Sequence, residues 1–298
     1  MLNRIINPTR LGMEEEKMMH ALSTLTPLAL LMATLSFFLA APAHAQGSKI
    51  KMIAEAGVSD EAMNNVQLGI DTTTRFFRET YGLELKNELR VILVPDKNAY
   101  TTALIREAKV DQKEAERRAR TTLGWSTGNA IIQNTGSIPN ARRRIYNMSH
   151  EIVHAYQAQV CSGDCAKIIC LYEGTAGALA TRIVDICGLR PLAEHRQGWL
   201  QQLKNKASST PLKDLKSKDD WYSALDKYGV EEVYGFAGLA VFDLVDKKGY
   251  ESLFTYFRSL KDSGSQESFQ RAFGTDLGAY EKQFDEQLKQ ELAALPAK

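Results

Sequence analysis

Apolar residues recur at helical spacing between residues 59 and 82, where Ser59 can cap the start and Gly82 can stop the run. The pattern then changes. Residues 88–95 (ELRVILVP) are nearly continuous in branched and apolar residues and end at Pro95-Asp96, which predicts a buried strand. Residues 97–121 return to helical spacing as one or two helices, the second strongly charged (DQKEAERRAR) and expected to be exposed. Gly124-Trp125-Ser126 and residues 129–133 (NAIIQ) read as short strands about a Thr-Gly-Asn turn. From Asn140 onward helical spacing dominates, in segments 140–160, 168–187, 190–205, 231–248, 250–261, 265–273 and 276–293 separated by Gly, Pro or Ser. The expected fold class is α+β. A small N-terminal α/β lobe with a short mixed sheet (46–139) precedes an all-helical C-terminal lobe (140–298).

A different kind of segment stands before all of this. Residues 25–41 (LTPLALLMATLSFFLAA) are almost wholly apolar, and Ala43-His44-Ala45 follows as a small-x-small cleavage pattern. Residues 1–45 therefore read as a secretory signal peptide cut after Ala45. The flank is untidy: Arg4, Arg10 and Lys17 are offset by Glu14, Glu15 and Glu16, so a later start at Met13 or Met18 is an alternative. The rival reading is an uncleaved membrane anchor, for which the stretch is slightly short. Export to the periplasm or beyond is the expectation, with the membrane involved only through that segment.

About 250 residues then remain, enough for one large domain or two lobes sharing a core. The formal net charge of the chain is +1, with 37 basic and 36 acidic residues interspersed. This argues against a nucleic-acid partner. Arg142-Arg143-Arg144 is a local exception, read as a solvated helix face. The four cysteines, Cys161, Cys165, Cys170 and Cys187, suit disulfides in an oxidising compartment. Three pairings are open. Cys161 and Cys165 flank the turn sequence Ser-Gly-Asp, which favours a small bridge there. Cys170 and Cys187 fall near opposite ends of one helix, roughly 25 Å apart and too far to bond. A structural zinc on cysteines is the rival, but paired C-x2-C spacing is lacking.

Residues 150–154 read His-Glu-Ile-Val-His. On a helix, His150 and His154 face the same side and can offer two nitrogens to one tetrahedral zinc. Glu151 projects toward the same metal, where it can take a proton from activated water and hand it to a leaving amine. The chain has five histidines, and His20 and His44 fall in the leader, so two of the remaining three form this motif. A metzincin continuation is excluded, because Gln157 and Val160 stand where Gly and His are required. The third ligand is expected from Glu173, early in the apolar helix 168–187, with eighteen residues between it and His154. A carboxylate in so apolar a segment is costly unless paired or bound to metal. The small residues after it (Gly174, Ala176, Gly177, Ala178, Ala180) would let the helix pack close to the motif helix. Asp164, Asp185 and Glu194 are weaker candidates. His195, in a charged stretch, is expected at the surface.

H-E-x-x-H followed at this distance by Glu, Gly and a small residue resembles the gluzincin signature of the peptidase-MA-like families. The order of elements is similar from about residue 88 to 290, with YGFAGLAVFDLVDKKGYESLFTYFRSL and FQRAFGTDLGAYEKQF resembling the helical tail. The resemblance implies a zincin-like fold, a zinc ion held by His150, His154 and Glu173, Glu151 as general base, and hydrolysis of a peptide or protein substrate. Many gluzincins carry an Asp one turn after the ligand Glu to orient a zinc histidine. Here that position is Gly177, so the orienting group must come from elsewhere. An oxyanion donor can be a Tyr or His of the helical tail. Tyr234 is the candidate, with Tyr222 and Tyr228 as alternatives and a packed core tyrosine as the bland reading. An edge strand at 129–133 could pair with an extended peptide. Two further hypotheses stand beside the active peptidase: a metal-binding but inactive envelope protein of the same build, and a metal-free helical interaction domain.

Overall fold

The computed structural model of the chain describes residues 49–161, 163–205 and 211–296. The proposed leader lies outside them. The described residues are mixed α+β, mostly helical, with one four-stranded mixed sheet near the N-terminal end. No helix among them is long and apolar enough to cross a membrane.

The sheet is built on β2 (Leu89–Val94), whose near-continuous apolar run is buried on both faces. It pairs in parallel with β1 (Ile50–Ala54) and with β4 (Ala130–Asn134), and β3 (Gly124–Ser126) runs antiparallel to β4 at the opposite edge. The order is β1-β2-β4-β3. NAIIQ is therefore an interior strand rather than an edge, and Gly124-Trp125-Ser126 is the edge. The reason is visible in its burial: Ala130 to Asn134 are all buried, so both sides need a neighbour. β1 has no counterpart in the sequence reading, because five residues with a weak alternation carry too little signal.

Alternate side chains of β2 enter different cores. Val91 and Leu93 join Ile131 against α1 (Asp60–Tyr81) and α4 (Ala141–Val160). Ile92 and Val94 join Ala130 and Ile132 against α2 (Lys97–Ala108) and α3 (Gln112–Thr121). Residues 97–121 thus form two helices, broken at Lys109, which adopts φ 55°. α1 is capped by Ser59, which accepts from Ala62 N–H, and ended by Gly82 in the left-handed region. It lies along α4: Thr73 Oγ1 donates to Ser149 Oγ at 2.9 Å, and Phe77 stacks on Tyr156 with centroids 3.9 Å apart.

Helix α5 (Ile169–Ile186) packs between α4 and α8 (Val230–Lys248). The small residues serve both sides. A Cβ at Gly174 would come within 2.6 Å of Ala237 O on α8, so this closest approach is to α8 and not to the motif helix. Gly177 faces α4, where a Cβ would lie 3.2 Å from the Tyr146 hydroxyl. Around this pair stand α6 (Leu192–Asn205), α7 (Lys218–Tyr228), α9 (Glu251–Ser259), α10 (Ser265–Phe273) and α11 (Leu277–Ala294). α7 was not among the expected helices. It is nucleated by a capping box, with Ser217 accepting from Asp220 N–H and the Asp220 carboxylate accepting from Ser217 N–H.

Cys161 and Cys165 form the expected bridge, with Cα atoms 5.7 Å apart. Cys170 is a free thiol buried at the start of α5, and Cys187 a free, half-buried thiol at its end.

Candidate metal centre

Helix α4 starts where Asn140 accepts from Arg143 N–H, and runs unbroken through the histidine motif. The one-turn spacing stacks the two imidazoles, and helix α5 brings Glu173 across to them. His150 Nε2 lies 3.1 Å from His154 Nε2 and 3.2 Å from Glu173 Oε2, and His154 Nε2 lies 3.5 Å from the same oxygen. Both histidines are buried, 8% and 7% exposed. A tetrahedral ion bound at about 2.0–2.2 Å by nitrogen and oxygen keeps its ligand atoms about 3.3–3.5 Å apart. The three separations, 3.1, 3.2 and 3.5 Å, fall at or slightly below those edges. His150, His154 and Glu173 therefore form a group able to hold a metal ion.

The donor set is also oriented for it. Gln157, one turn after His154 on α4, gives its Nε2 to Tyr172 O at 3.0 Å, which turns its Oε1 toward His154 Nδ1 at 2.7 Å. An amide oxygen only accepts, so Nδ1 carries the proton and the lone pair of Nε2 points at the cluster. The Tyr172 ring stacks on His154 with centroids 4.3 Å apart and closes the other face. His150 Nδ1 is buried without a partner.

Electrostatics agree with a cation at this point. Burial alone would raise the Glu173 carboxyl, but His154 and His150 outweigh it and hold it well below the ordinary carboxylate range. Burial disfavours charge on His154 too, yet Glu173 outweighs it and raises the imidazole above its usual value.

Glu151 lies beside the cluster, against strand β3. A Cβ at Gly124 would press on its Oε1 at 3.0 Å, so the strand approaches the carboxylate closely because residue 124 has no side chain. Burial raises Glu151 above the ordinary range, against the pull of His150, His154 and a backbone hydrogen bond from Ser126. A raised carboxyl is a better proton acceptor than an ordinary carboxylate, as a general base must be.

Tyr234, from α8, reaches the same place. Its ring centroid is 5.8 Å from that of His150, and its hydroxyl is within electrostatic reach of Glu173 and Glu151. Burial and then Glu173 and Glu151 push the phenol well above its ordinary value, which keeps its proton in place as a donor. Tyr222 is exposed beside Arg117, and Tyr228 does not line the cleft.

The cluster opens on a cleft of about 540 Å³. Its lining includes Gly124, Tyr146, His150, Glu151 and Tyr234, together with Arg142, Arg190, His195 and Trp199. Two expectations are corrected here. His195 is only 8% exposed and lines the cleft, because Arg190 and Trp199 on either side of it fold over the same wall. The Arg triplet is a solvated face only at Arg143, which is exposed and pairs with Glu231 at 2.7 Å; Arg142 is half-buried on the cleft, and Arg144 is half-buried and pairs with Glu61 at 2.8 Å. The remaining acidic candidates stand apart from the cluster: Asp164 accepts from Ala166 N–H, Asp185 pairs with Arg182, and Glu194 is exposed.

Sequence reasoning missed Gln157, Tyr146 and the Arg142–Arg190–His195 wall. The first had a signal, since it follows His154 by three on one helix and is within side-chain reach. The wall had none, because its members come from different helices. No family model matches the chain, and no curated protein matches it.

Proposed function

We propose that the chain is a zinc-dependent peptidase of the gluzincin type on a zincin-like fold, acting outside the cytoplasm on peptides or proteins. The observation that carries this reading is the convergence of His150, His154 and Glu173 at tetrahedral separations, with the raised Glu151 carboxyl beside them, at the floor of an open cleft. Two histidines and a carboxylate are a donor set that suits zinc and leaves a fourth position open. When bound, zinc would supply Lewis acidity, polarising a carbonyl and making water acidic enough to act near neutral pH.

The chain's own residues do the rest. Glu151 accepts the proton of the attacking water and returns it to the departing amine, tasks its buried position and raised pKa favour. Tyr234, held protonated, donates to the oxygen that becomes negative as the carbonyl turns tetrahedral. Gln157 holds His154 in its ligating tautomer, the role a second-turn Asp would otherwise fill. The position of that Asp is closed here: residue 177 is Gly, facing the Tyr146 hydroxyl. An extended substrate would lie along β3, the free edge of the sheet beside Glu151.

The test is elemental analysis of the purified chain with its His150→Ala, Glu173→Ala and Glu151→Gln variants, together with a peptide-library digest. About one zinc per chain is expected, lost in the first two variants and kept in the third, with hydrolysis only in the parent. Zinc without hydrolysis of any peptide would make the chain an inactive metal-binding protein. No zinc after supplementation at neutral pH would leave a helical binding module.

A further inference from the structure

The cleft holds charge that the metal centre does not use. Arg142 lines it, half-buried, and has no ion pair or hydrogen bond among the described residues. Arg143 is occupied by Glu231, which also accepts from Gln202 at 3.2 Å. Arg190 gives one terminal nitrogen to Glu194 O at 2.9 Å, but its Nε stands 3.9 Å from the Glu194 carboxylate, beyond hydrogen-bond distance. Of the two guanidinium groups lining the cleft, Arg142 is thus without a carboxylate and Arg190 has only the loose Glu194 pair. Between them lies His195, buried, with Nε2 lacking any partner. Burial and then the charges of Arg190 and Arg142 push this imidazole down to about 4, so it is neutral at pH 7 and within electrostatic reach of both. A half-buried cation without a counter-ion, Arg142, and an orphaned imidazole nitrogen are costly unless a ligand completes them.

We infer that Arg142, Arg190 and His195 form a subsite for a carboxylate of the substrate, at the end of the cleft away from the metal ligands. This rests on the peptidase reading for the ligand's being a peptide; the subsite itself is read from side chains that the metal centre leaves idle. A planar guanidinium takes a carboxylate through two parallel hydrogen bonds, and a neutral imidazole can add one more donor. Trp199, whose ring packs so closely on Gly238 that a Cβ there would meet it at 2.6 Å, supplies an apolar wall for the stem of an acidic side chain. Arg142 stands eight residues before His150 on α4, about 12 Å along the helix axis. At roughly 3.3 Å per extended residue, the carboxylate sits about three to four residues from the scissile bond. It is either an Asp or Glu side chain or the C-terminal carboxylate of a short peptide.

The experiment uses the full, zinc-supplied chain and matched alanine-rich peptides with Glu or Gln at each scanned position, every one made as C-terminal acid and as amide. Cleavage is followed as kcat/KM. Binding of fluorescein-labelled copies to the Glu151→Gln variant is followed by anisotropy, an arm that needs no turnover. The expected result is a preference of about tenfold or more for one carboxylate over its neutral counterpart, reduced to near one in Arg142→Gln and partly kept in Arg142→Lys. Preference for Glu among the amides assigns the site to a side chain, and preference for acid over amide assigns it to the C-terminus. Equal handling of charged and neutral peptides by the parent, or a preference untouched by Arg142→Gln, overturns the subsite even if cleavage is brisk. Carboxylate-dependent binding without any cleavage would keep the subsite and remove the peptidase reading instead.

Discussion

His154 is held in one tautomer by Gln157, whose side-chain oxygen lies 2.7 Å from Nδ1 while its nitrogen donates to Tyr172 O at 3.0 Å. The contact spans one turn of α4 and turns the lone pair of Nε2 toward His150 and Glu173. Gln157→Leu keeps the volume and removes the acceptor. It is expected to lower zinc affinity by about 10–100-fold, measured by chelator competition, with the circular dichroism spectrum unchanged. Unaltered affinity would show that the tautomer is set by something else.

Tyr234 bears on the centre in two ways, through the electrostatic coupling of its hydroxyl to Glu173 and by its ring beside His150. If its hydroxyl serves the developing oxyanion, Tyr234→Phe lowers kcat by about 10²–10³ while zinc content stays at the parental level. If the hydroxyl only steadies Glu173, zinc affinity falls and kcat at saturating zinc is preserved. Measuring both quantities on one preparation separates the two roles.

His195 makes stability depend on pH. Its folded pKa, about 4, lies below the ordinary histidine value because of burial and the neighbouring Arg190 and Arg142. The unfolded chain therefore takes up the proton first as pH falls. Its neutral form is fully accommodated above the unfolded value near 6.5, and stability declines from there toward pH 4, by up to about 3 kcal/mol. His195→Gln should flatten the fall in Tm between pH 7 and 4.5 relative to the parent. Parallel Tm profiles for the two chains would mean that this imidazole is not depressed.

Gly174 sets the distance between α5 and α8, since a Cβ there would meet Ala237 O at 2.6 Å. Gly174→Ala adds one methyl group against backbone, which a rotamer change cannot relieve. The expected cost is about 1–3 kcal/mol, with Tm falling by roughly 2–4 °C for each kcal/mol in a chain of this size. Because Glu173 is the adjacent residue, zinc affinity should weaken as well. A Tm at or above that of the parent would show that the two helices can part without loss.

The amino-acid sequence by itself determined the local structure with strong periodicity: α1, β2, α4, α5 and the later helices other than α7, and it singled out His150, Glu151, His154 and Glu173 as candidates. Helical period and capping residues act over a few positions, so they are legible wherever the run is long. It also favoured the Cys161–Cys165 bridge, which is a local contact across a turn. What it did not determine were features decided by which segments become neighbours. The interior place of β4 depends on β1 and β3 covering the other positions of the sheet. The burial of His195 and the cleft position of Arg142 depend on α6 packing on α5 and α8 so that it faces the same cleft as α4, which no spacing along the chain encodes. Gly174 was legible as a small residue, but whether α4 or α8 used the space was a matter of tertiary packing. Side-chain contacts between distant segments are settled by the balance of burial and charge across the whole fold, and there the pattern of a single segment carries no information.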